Sequence, residues 1–374
     1  MKILFLTNVP SPYRVSFFNE LGKYCDLTVA FEKRTSTERD KSWGEYRFDN
    51  FKGIFLKGIS ISTDTAYCFG LKKIIKKGNF DFIICANFSS PTGMRAISYM
   101  RRKKIPYYLE SDGGVAKSGK GFKEKLKKHF IKGAKGYFST SKQHDGYYVA
   151  YGAKEEQILR YPFTSLSACD VDLKATAIPE KKALREKLGI TEENVVISVG
   201  RFSYLNGYGK GYDVLLRSAK EMPKNVGWYI IGGEATAEFA KMKEDAGLDN
   251  VHFVSFLDKE SLKEYYRAAD VFALMTVGEA WGLVVNEAMA CGLPIITTDK
   301  CVAGVELVRE NENGYILAVG DDKGLSEKLE AIFTKACQEE MGKKSLEFIQ
   351  SYTIENMAKT HIEVFERVLS GDGN

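Results

Sequence analysis

The sequence predicts an α/β protein of two domains, each built on a doubly wound parallel sheet with helices on both faces. Three observations support this prediction. Short apolar runs alternate with stretches of helical periodicity along the chain. The alternation stops in an irregular segment at 162–180 and starts again near 195. The length of 374 residues is long for one domain and comfortable for two.

The first half opens with an apolar run at 2–8 that predicts a buried strand. A turn at 10–13 and a helix at 14–21 follow it. Four later apolar runs predict further strands, at 27–31, 82–86, 107–109 and 137–140. The first turn lacks G-x-G-x-x-G, so nothing supports a nicotinamide-binding site there.

The second half repeats the pattern and ends in helices. Its predicted strands are 195–200, 228–233, 251–256, 271–275 and 294–298. A long amphipathic helix is predicted at 352–369. We therefore expect one domain at 1–165 and a second at 166–351.

Composition indicates an ordinary soluble globular protein, with 44% apolar and 28% charged residues. No apolar stretch reaches the ~20 residues of a membrane span, and the first residues show no signal-peptide pattern. The seven cysteines have no C-x-x-C spacing, which favours free thiols in a reducing cytosol over disulfides or a metal site. The four isolated histidines suggest no His-based nucleophilic triad.

Charge is divided unequally between the two halves. Residues 1–165 hold 30 basic and 15 acidic side chains, and the remainder holds 24 basic and 34 acidic ones. The segment Lys117–Lys135 carries eight lysines and one acid, with apolar residues at helical spacing. We expect this helix to pack on its domain and to touch an anionic membrane with its lysine face. Solvated lysines on an ordinary helix are the alternative, and clusters at 72–77 and 101–104 extend the basic surface.

The stretch at 276–299 is suited to binding a diphosphate that has a polyol on either side. It joins the last two predicted strands through a Gly-containing turn and a helix, whose free N–H groups attract phosphate. Gly282 lets a ligand approach the backbone. Glu279 and Glu287 lie eight positions apart and can accept hydroxyl hydrogen bonds. Two acids at this spacing are by themselves more often solvated side chains than ligand-binding ones. The residues around them therefore decide between these two interpretations.

Those neighbours resemble the E-x7-E signature of retaining glycosyltransferases of family 4. The matching residues are Glu279, Gly282, Glu287, Ala288, Met289, Ala290, Gly292, Pro294 and Ile295. Trp281 replaces the usual Phe. The resemblance implies the GT-B fold, in which two Rossmann-like domains face each other across a cleft. It also implies that a terminal helix, here within 352–374, packs back on the first domain.

A second match follows the strand at 195–200, where the family carries G-R-x…K-G-x-D. This chain has Gly200, Arg201, Lys210, Gly211 and Asp213 there, with an insertion at 206–209. By this resemblance, Arg201 and Lys210 neutralise the donor diphosphate, a task that suits a guanidinium fork and an ammonium point charge. A surface arginine and lysine in a loop are the alternative.

The resemblance implies the other donor contacts as well. Glu279 binds hydroxyls of the transferred sugar, and Glu287 binds the ribose. The remaining donor-binding residues are Gly200, Phe256, Leu257, Gly282, Leu283 and Val284, with Phe256 and Leu257 holding the nucleotide base through their main chain.

Asp112 is the predicted acceptor-side residue of the catalytic site. It follows the strand at 107–109, and ligands bind at the carboxyl ends of strands in open α/β sheets. Many family members have a His-Asp pair there, whereas this chain has Glu110 and Asp112 without a neighbouring His. A plain strand-end turn is the alternative. Ser11–Arg14 replaces the Gly-rich first turn of many members.

No metal site is expected. The segment at 162–180 contains Asp170 and Asp172 in a D-x-D pattern, which holds a divalent metal in another class of glycosyltransferases. No core strand precedes it here, which favours coincidence.

Together these residues and the family resemblance imply a retaining, metal-independent hexosyltransferase. We expect it to use a nucleoside diphosphate sugar, with UDP as the expected nucleotide, and a glycan or lipid-linked acceptor in cell-surface polysaccharide or glycolipid synthesis. We expect no cofactor, no nucleic-acid partner, and a cytoplasmic location on the inner face of the membrane. The alternatives are a nucleotide-sugar epimerase or a phosphorylase on the same fold, an inactive partner subunit, and a two-lobed sugar-binding protein.

Overall fold

The computed structural model of the chain describes residues 1–35, 46–114, 116, 121–171 and 178–371. It divides into two compact units, Met1–Ser165 with Tyr352–Asn374, and Leu166–Ser351. Among the described residues, none of the helices combines the length and the apolar character needed to cross a bilayer.

The elements up to residue 171 are, in chain order, β1 (Lys2–Thr7), α1 (Pro12–Leu21), β2 (Asp26–Phe31), β3 (Lys52–Phe55), β4 (Gly58–Ser60), β5 (Ala66–Cys68), α2 (Leu71–Gly78), β6 (Phe82–Cys85), α3 (Pro91–Lys103), β7 (Tyr108–Glu110), α4 (Phe122–Ile131), β8 (Gly136–Ser139), α5 (Lys142–Ala150) and β9 (Ile158–Arg160).

The later elements are α6 (Ile178–Leu188), β10 (Asn194–Val199), α7 (Tyr212–Glu221), β11 (Val226–Ile231), α8 (Ala237–Asp245), β12 (Val251–Val254), α9 (Lys259–Ala268), β13 (Val271–Leu274), α10 (Leu283–Ala290), β14 (Ile295–Thr298), α11 (Val302–Leu307), β15 (Gly314–Leu317), α12 (Asp322–Ile332), α13 (Lys335–Ile349) and α14 (Ile354–Ser370).

Each unit is organised around one parallel sheet, as the alternating apolar runs predict. The N-terminal sheet has the order β3-β2-β1-β6-β7-β8-β9, and the C-terminal sheet has the order β12-β11-β10-β13-β14-β15. Neighbouring strands within both sheets run parallel. The strand β1 and the strand β10 are the points where strand order reverses, which is where such sheets bind ligands. The predicted fold class of two Rossmann-like domains is confirmed.

The central strands are buried on both faces because helices cover both sides of each sheet. In β1 the residues from Ile3 to Leu6 are at most 1% exposed, and in β13 every residue is fully buried. The helix α14 belongs to the N-terminal unit and packs on α1. Its Phe365 lies against Phe82 of β6, with ring centroids 4.6 Å apart.

The predicted strands end within one or two residues of the observed ones, and one strand end and the packing of one helix differ for a clear physical reason. The strand predicted at 251–256 ends at Val254, because β12 lies at the edge of the described sheet and its neighbour there, β11, ends at Ile231 opposite Val254. The helix α4 also packs less fully than its apolar pattern predicts. Phe122, at its first position, is 79% exposed, since α4 packs on the core near its other end, through the buried Ile131 and the half-buried Phe130.

Candidate active site

The turn after β13 is held on two sides before α10 begins. The Thr276 hydroxyl donates to the carbonyl of Gly209 over 2.8 Å, and the Val277 amide donates to the same oxygen over 3.2 Å. On the other side, the Glu279 amide donates to Lys300 O over 3.0 Å. The predicted acid therefore stands on backbone that is fixed by two neighbouring segments.

Gly282 adopts a conformation that favours glycine and leaves the start of α10 open. Its φ is +107°, and a Cβ there would lie 2.9 Å from Cys301 Sγ. The N-cap residue, Gly282, has no side chain with which to cap the helix. The first N–H groups of an uncapped helix attract anions. Gly282, Leu283 and Val284 lie at this helix start, and their contact with a donor diphosphate stays a prediction.

Lys210 is placed by the glycine that follows it. Gly211 has a φ of +73°, and a Cβ there would lie 2.0 Å from the carbonyl oxygen of Met275, so the chain packs tightly on the end of β13. The Lys210 stem then crosses Gly200, where a Cβ would lie 2.9 Å from its Cε. Its Nζ lies 2.8 Å from Glu279 Oε2.

The Lys210–Glu279 ion pair is partly shielded from solvent, with side chains 12% and 21% exposed. The fold thus brings together three predicted residues, Gly200, Lys210 and Glu279. Arg201 follows Gly200 directly at the carboxyl end of β10 and is exposed.

Glu287 lies in the second turn of α10 and is half-buried. Its Oε2 accepts a hydrogen bond of 3.3 Å from the hydroxyl of Tyr266, which comes from α9. Burial and then the Glu287 carboxylate raise the pKa of Tyr266 far above its usual range, so this phenol stays a donor. Glu287 is therefore oriented by its neighbour.

Phe256 and Leu257 lie in the loop between β12 and α9. In the sheet, β11 lies between β12 and β10. Phe256 is 59% exposed and Leu257 is half-buried. The structure places them at the carboxyl end of the same sheet as Lys210.

In the N-terminal unit, Asp112 is held by two residues of the first turn. Its Oδ2 accepts a hydrogen bond of 2.8 Å from the Tyr13 hydroxyl, and its Oδ1 lies 3.3 Å from the Arg14 guanidinium. The Asp112 side chain remains 39% exposed. Part of the carboxylate is therefore fixed while part of its surface stays open to solvent.

Beneath Asp112 lies a buried ionic cluster. Arg14 is hydrogen-bonded to Glu110, and the fully buried His361 of α14 has its Nε2 3.6 Å from Glu110 Oε2. Burial alone would raise the pKa of Glu110, but Arg14 and then His361 outweigh it and lower that pKa to about 2. Glu110 is therefore an ionised anchor for Arg14.

A histidine does lie beside this strand end, although none is adjacent in sequence. His144 of α5 has its Nε2 2.8 Å from Ser111 Oγ, while the Thr140 amide donates to Nδ1 over 3.3 Å. These partners assign the ring proton to Nε2. Burial lowers the pKa of His144 to about 3, so the ring is neutral.

Sequence reasoning missed Tyr13, Arg14 and His144 as members of this site. The signal available for the first two was the polar pair Tyr13-Arg14 at the start of the helix that follows a buried strand. Nothing local to His144 pairs it with Ser111, since 33 residues separate them.

The described residues contain no group of three or more His, Cys, Asp and Glu side chains that could hold a metal ion. Asp170 of the D-x-D pattern is bound to Lys259 at 2.7 Å. Asp172 lies outside the described residues, as do residues 117–120 of the basic segment.

Comparisons with known proteins identify part of the chain. Residues 180–348 match the family model described as glycosyl transferases group 1. The D-inositol 3-phosphate glycosyltransferase of Xylanimonas cellulosilytica is 29% identical over 195 residues, which cover 49% of this chain and 44% of that protein. The chain thus spans less than half the length of this curated relative.

Two solved structures share the fold. Alr3699/HepE from Anabaena, in complex with UDP and glucose, matches 98% of this chain and 99% of its own at a TM-score of 0.74 and 17% identity. WaaG, a glycosyltransferase involved in lipopolysaccharide biosynthesis, matches 97% of this chain and 99% of its own at a TM-score of 0.67 and 17% identity. These likenesses show that the chain has the fold of such glycosyltransferases.

Proposed function

We propose that this chain, whose residues 180–348 form a glycosyl transferases group 1 domain, is a retaining hexosyltransferase of family 4. It transfers a hexose-type sugar from a nucleoside diphosphate donor to a glycan or lipid-linked acceptor. The observation that carries the proposal is the contact between Lys210 and Glu279 beside the uncapped start of α10. A cation and a free helix start suit a diphosphate, and the adjoining carboxylate suits sugar hydroxyls.

The ion pair gives Lys210 and Glu279 a partner while no donor is bound. When a donor enters, its diphosphate takes over Lys210 and Arg201, and Glu279 turns to the hydroxyls of the transferred sugar. Each charged side chain exchanges one partner for another, so neither is left buried and unpaired. Charge developing on the leaving diphosphate then strengthens the cationic contacts in the transition state.

The rest of the donor is held by polar groups already oriented in the C-terminal unit. Glu287, aligned by Tyr266, binds the ribose. The backbone around Gly282 contacts the diphosphate, and the main chain at Phe256 and Leu257 holds the base. UDP is the first nucleotide to test, because the similar Anabaena structure contains UDP.

Transfer proceeds with retention and without a metal. The acceptor oxygen bonds to the anomeric carbon on the same face from which the diphosphate leaves, so the protein need not supply a carboxylate nucleophile, and the leaving phosphate accepts the hydroxyl proton. Arg201 and Lys210 supply the positive charge that a metal ion provides in other transferases. On the acceptor side, Asp112, fixed by Tyr13 and Arg14, binds the incoming hydroxyl.

The N-terminal unit docks peripherally on the inner, anionic face of a membrane, where cell-surface polysaccharide or glycolipid is made. Its helices α2, α3 and α4 contribute to one side of the sheet, since Ile75, Ile97 and Ile131 share one core. Their exposed surfaces carry lysine and arginine, and the exposed Phe122 adds an apolar contact. Each such cation near an anionic surface contributes on the order of 1 kcal/mol.

Thermal-shift screening of the full chain against UDP, GDP and their sugars tests the donor assignment. We expect stabilisation by a nucleoside diphosphate sugar, and transfer only when an acceptor is added. Product formed from the donor alone would instead indicate an epimerase.

Co-sedimentation with vesicles tests membrane docking. Lys123→Glu with Lys125→Glu should lower recovery on anionic vesicles at least tenfold at low salt. The matched control, Lys220→Glu with Lys241→Glu in the C-terminal unit, should behave as wild type. Equal recovery of the wild-type chain on neutral and anionic vesicles would overturn the docking proposal.

A further inference from the structure

The loop between Ser203 and Lys210 has a backbone that only strong local constraints maintain. Leu205, Asn206 and Gly207 have consecutive φ values of +47°, +54° and +95°. Left-handed conformations are unfavourable for leucine. Such strain persists where the surroundings dictate it, and it concentrates at functional sites. The side chain that this loop positions is therefore a candidate for a functional role.

Both ends of this loop are fixed. Phe202, before it, is 4% exposed and lies in the core with Phe239. At its end, the Gly209 carbonyl accepts the hydrogen bonds from Thr276 and Val277 that hold the turn before Glu279. The loop and the Glu279 turn are thus one connected structure.

The residue that this loop directs toward the ion pair is Tyr204. Its hydroxyl donates to the carbonyl of Gly278 over 3.2 Å, and Lys210 Nζ lies 5.7 Å from the centre of its ring. The ring also packs on Gly209. The side chain of Tyr204 is nevertheless 37% exposed. An oriented aromatic surface therefore borders the Lys210–Glu279 pair and remains open.

We propose that Tyr204 forms a wall of the subsite for the transferred sugar. The inference rests on the proposed function, in which Glu279 binds hydroxyls of that sugar. A hexopyranose held by Glu279 through its hydroxyls presents its C–H groups to the adjacent ring. An aromatic side chain offers a large apolar face at low conformational cost and keeps its hydroxyl for a hydrogen bond. Tyr204 therefore contributes to recognition of the sugar and not of the nucleotide.

The same loop supplies a matched control. Tyr208 is 38% exposed, nearly the same as Tyr204. Its hydroxyl donates to Glu238 over 2.6 Å and its ring packs on Phe239, so it is directed away from the ion pair. A general effect of removing a tyrosine from this loop would appear in both variants.

The test measures the affinities of the full chain for UDP, GDP and their hexose derivatives by calorimetry, and uses the nucleotide that wild type binds. Tyr204→Ala should weaken the nucleotide sugar about 3- to 10-fold while the affinity for the nucleoside diphosphate changes less than twofold. Tyr204→Phe, which keeps the ring, should retain most of the sugar affinity. Tyr208→Ala should leave both affinities unchanged.

The outcomes separate the two proposals. Failure of wild type to bind any of these nucleotides overturns the proposed function and this inference with it. If wild type binds these nucleotides, and Tyr204→Ala weakens the affinities for the nucleotide sugar and the nucleoside diphosphate equally or changes neither, the inference is wrong and the proposed function stands. A structural defect would lower both affinities together, so the ratio of the two is the deciding measurement.

Discussion

Lys210 Nζ lies 2.8 Å from Glu279 Oε2, although 69 positions separate the two residues. Lys210 follows the first strand of the C-terminal unit, and Glu279 follows its fourth. Because β10 and β13 are hydrogen-bonded neighbours in a parallel sheet, their carboxyl ends meet at one edge. The contact is thus a consequence of strand order, and it joins the two motifs that the sequence presents separately.

Lys210→Ala should lower the transfer rate by about 10²–10³, because the leaving diphosphate loses a preorganised cation. The circular dichroism spectrum should remain that of wild type. The matched control is Lys220→Ala, which removes an exposed lysine of the same unit and should leave the rate unchanged. A folded Lys210→Ala chain with wild-type transfer would contradict the site assignment.

Glu287→Ala should raise the donor KM by roughly 10- to 100-fold, since a hydrogen bond to a charged group contributes about 1.5–3 kcal/mol. Tyr266→Phe, which removes only the hydroxyl that orients Glu287, should have a smaller effect in the same direction. Steady-state kinetics with varied donor gives both values. An unchanged KM in Glu287→Ala would exclude it from donor binding.

Gly211→Ala should destabilise the C-terminal unit by more than 2 kcal/mol, because the new Cβ would meet the Met275 carbonyl at 2.0 Å. Gly189 is the control, since its φ of +70° is close to the +73° of Gly211 but nothing lies within 4 Å. Gly189→Ala should cost only about 1 kcal/mol for the left-handed backbone. Urea unfolding measures the difference, and equal losses would mean that the close packing at Met275 is not important.

Transfer should continue in excess EDTA, because the proposed charge neutralisation comes from Arg201 and Lys210. The measurement is the initial rate before and after chelation, with added Mg²⁺ as the comparison. A strict requirement for divalent metal would return attention to Asp170 and Asp172.

Acid should destabilise the N-terminal unit through His144. Its pKa is about 3 in the folded chain and about 6.5 when unfolded, so between these values only the unfolded chain binds the proton. Its contribution to stability is complete above pH 6.5 and is lost as pH falls toward 3, a total on the order of 5 kcal/mol. His144→Gln should flatten the fall in Tm between pH 7 and 4. The exposed His129→Gln is the control, and an identical pH profile for His144→Gln would refute the assignment.

Much of the fold follows from local patterns, because parallel strands buried on both faces are continuous apolar runs. Gly211 and Gly282 are also foreseeable, since each occupies a motif position whose conformation disfavours a side chain. The strand end at Val254 could not be foreseen from the sequence, because an edge strand ends where its neighbour ends and not where its own apolar residues stop.

The cluster around Glu110 illustrates the limit of sequence reasoning. Arg14 and Glu110 are 96 positions apart, and His361 comes from the last helix. Each residue alone is an ordinary polar side chain in a helix or at a strand end. Only the assembled sheet shows that Arg14 and His361 both lie against the buried Glu110 carboxylate. The same is true of Asp112, whose orientation depends on Tyr13 and Arg14.

The helix α14 has a consequence for synthesis of the protein. It places His361 next to Glu110 and stacks its ring on Phe138, with centroids 4.6 Å apart, so the N-terminal unit contains residues translated after the whole C-terminal unit. Domains generally fold as units while the ribosome elongates the chain. The C-terminal unit is synthesised completely before α14, so the nascent N-terminal half lacks the helix that covers Phe82 and Phe138. During that interval we expect chaperones to bind this part of the chain.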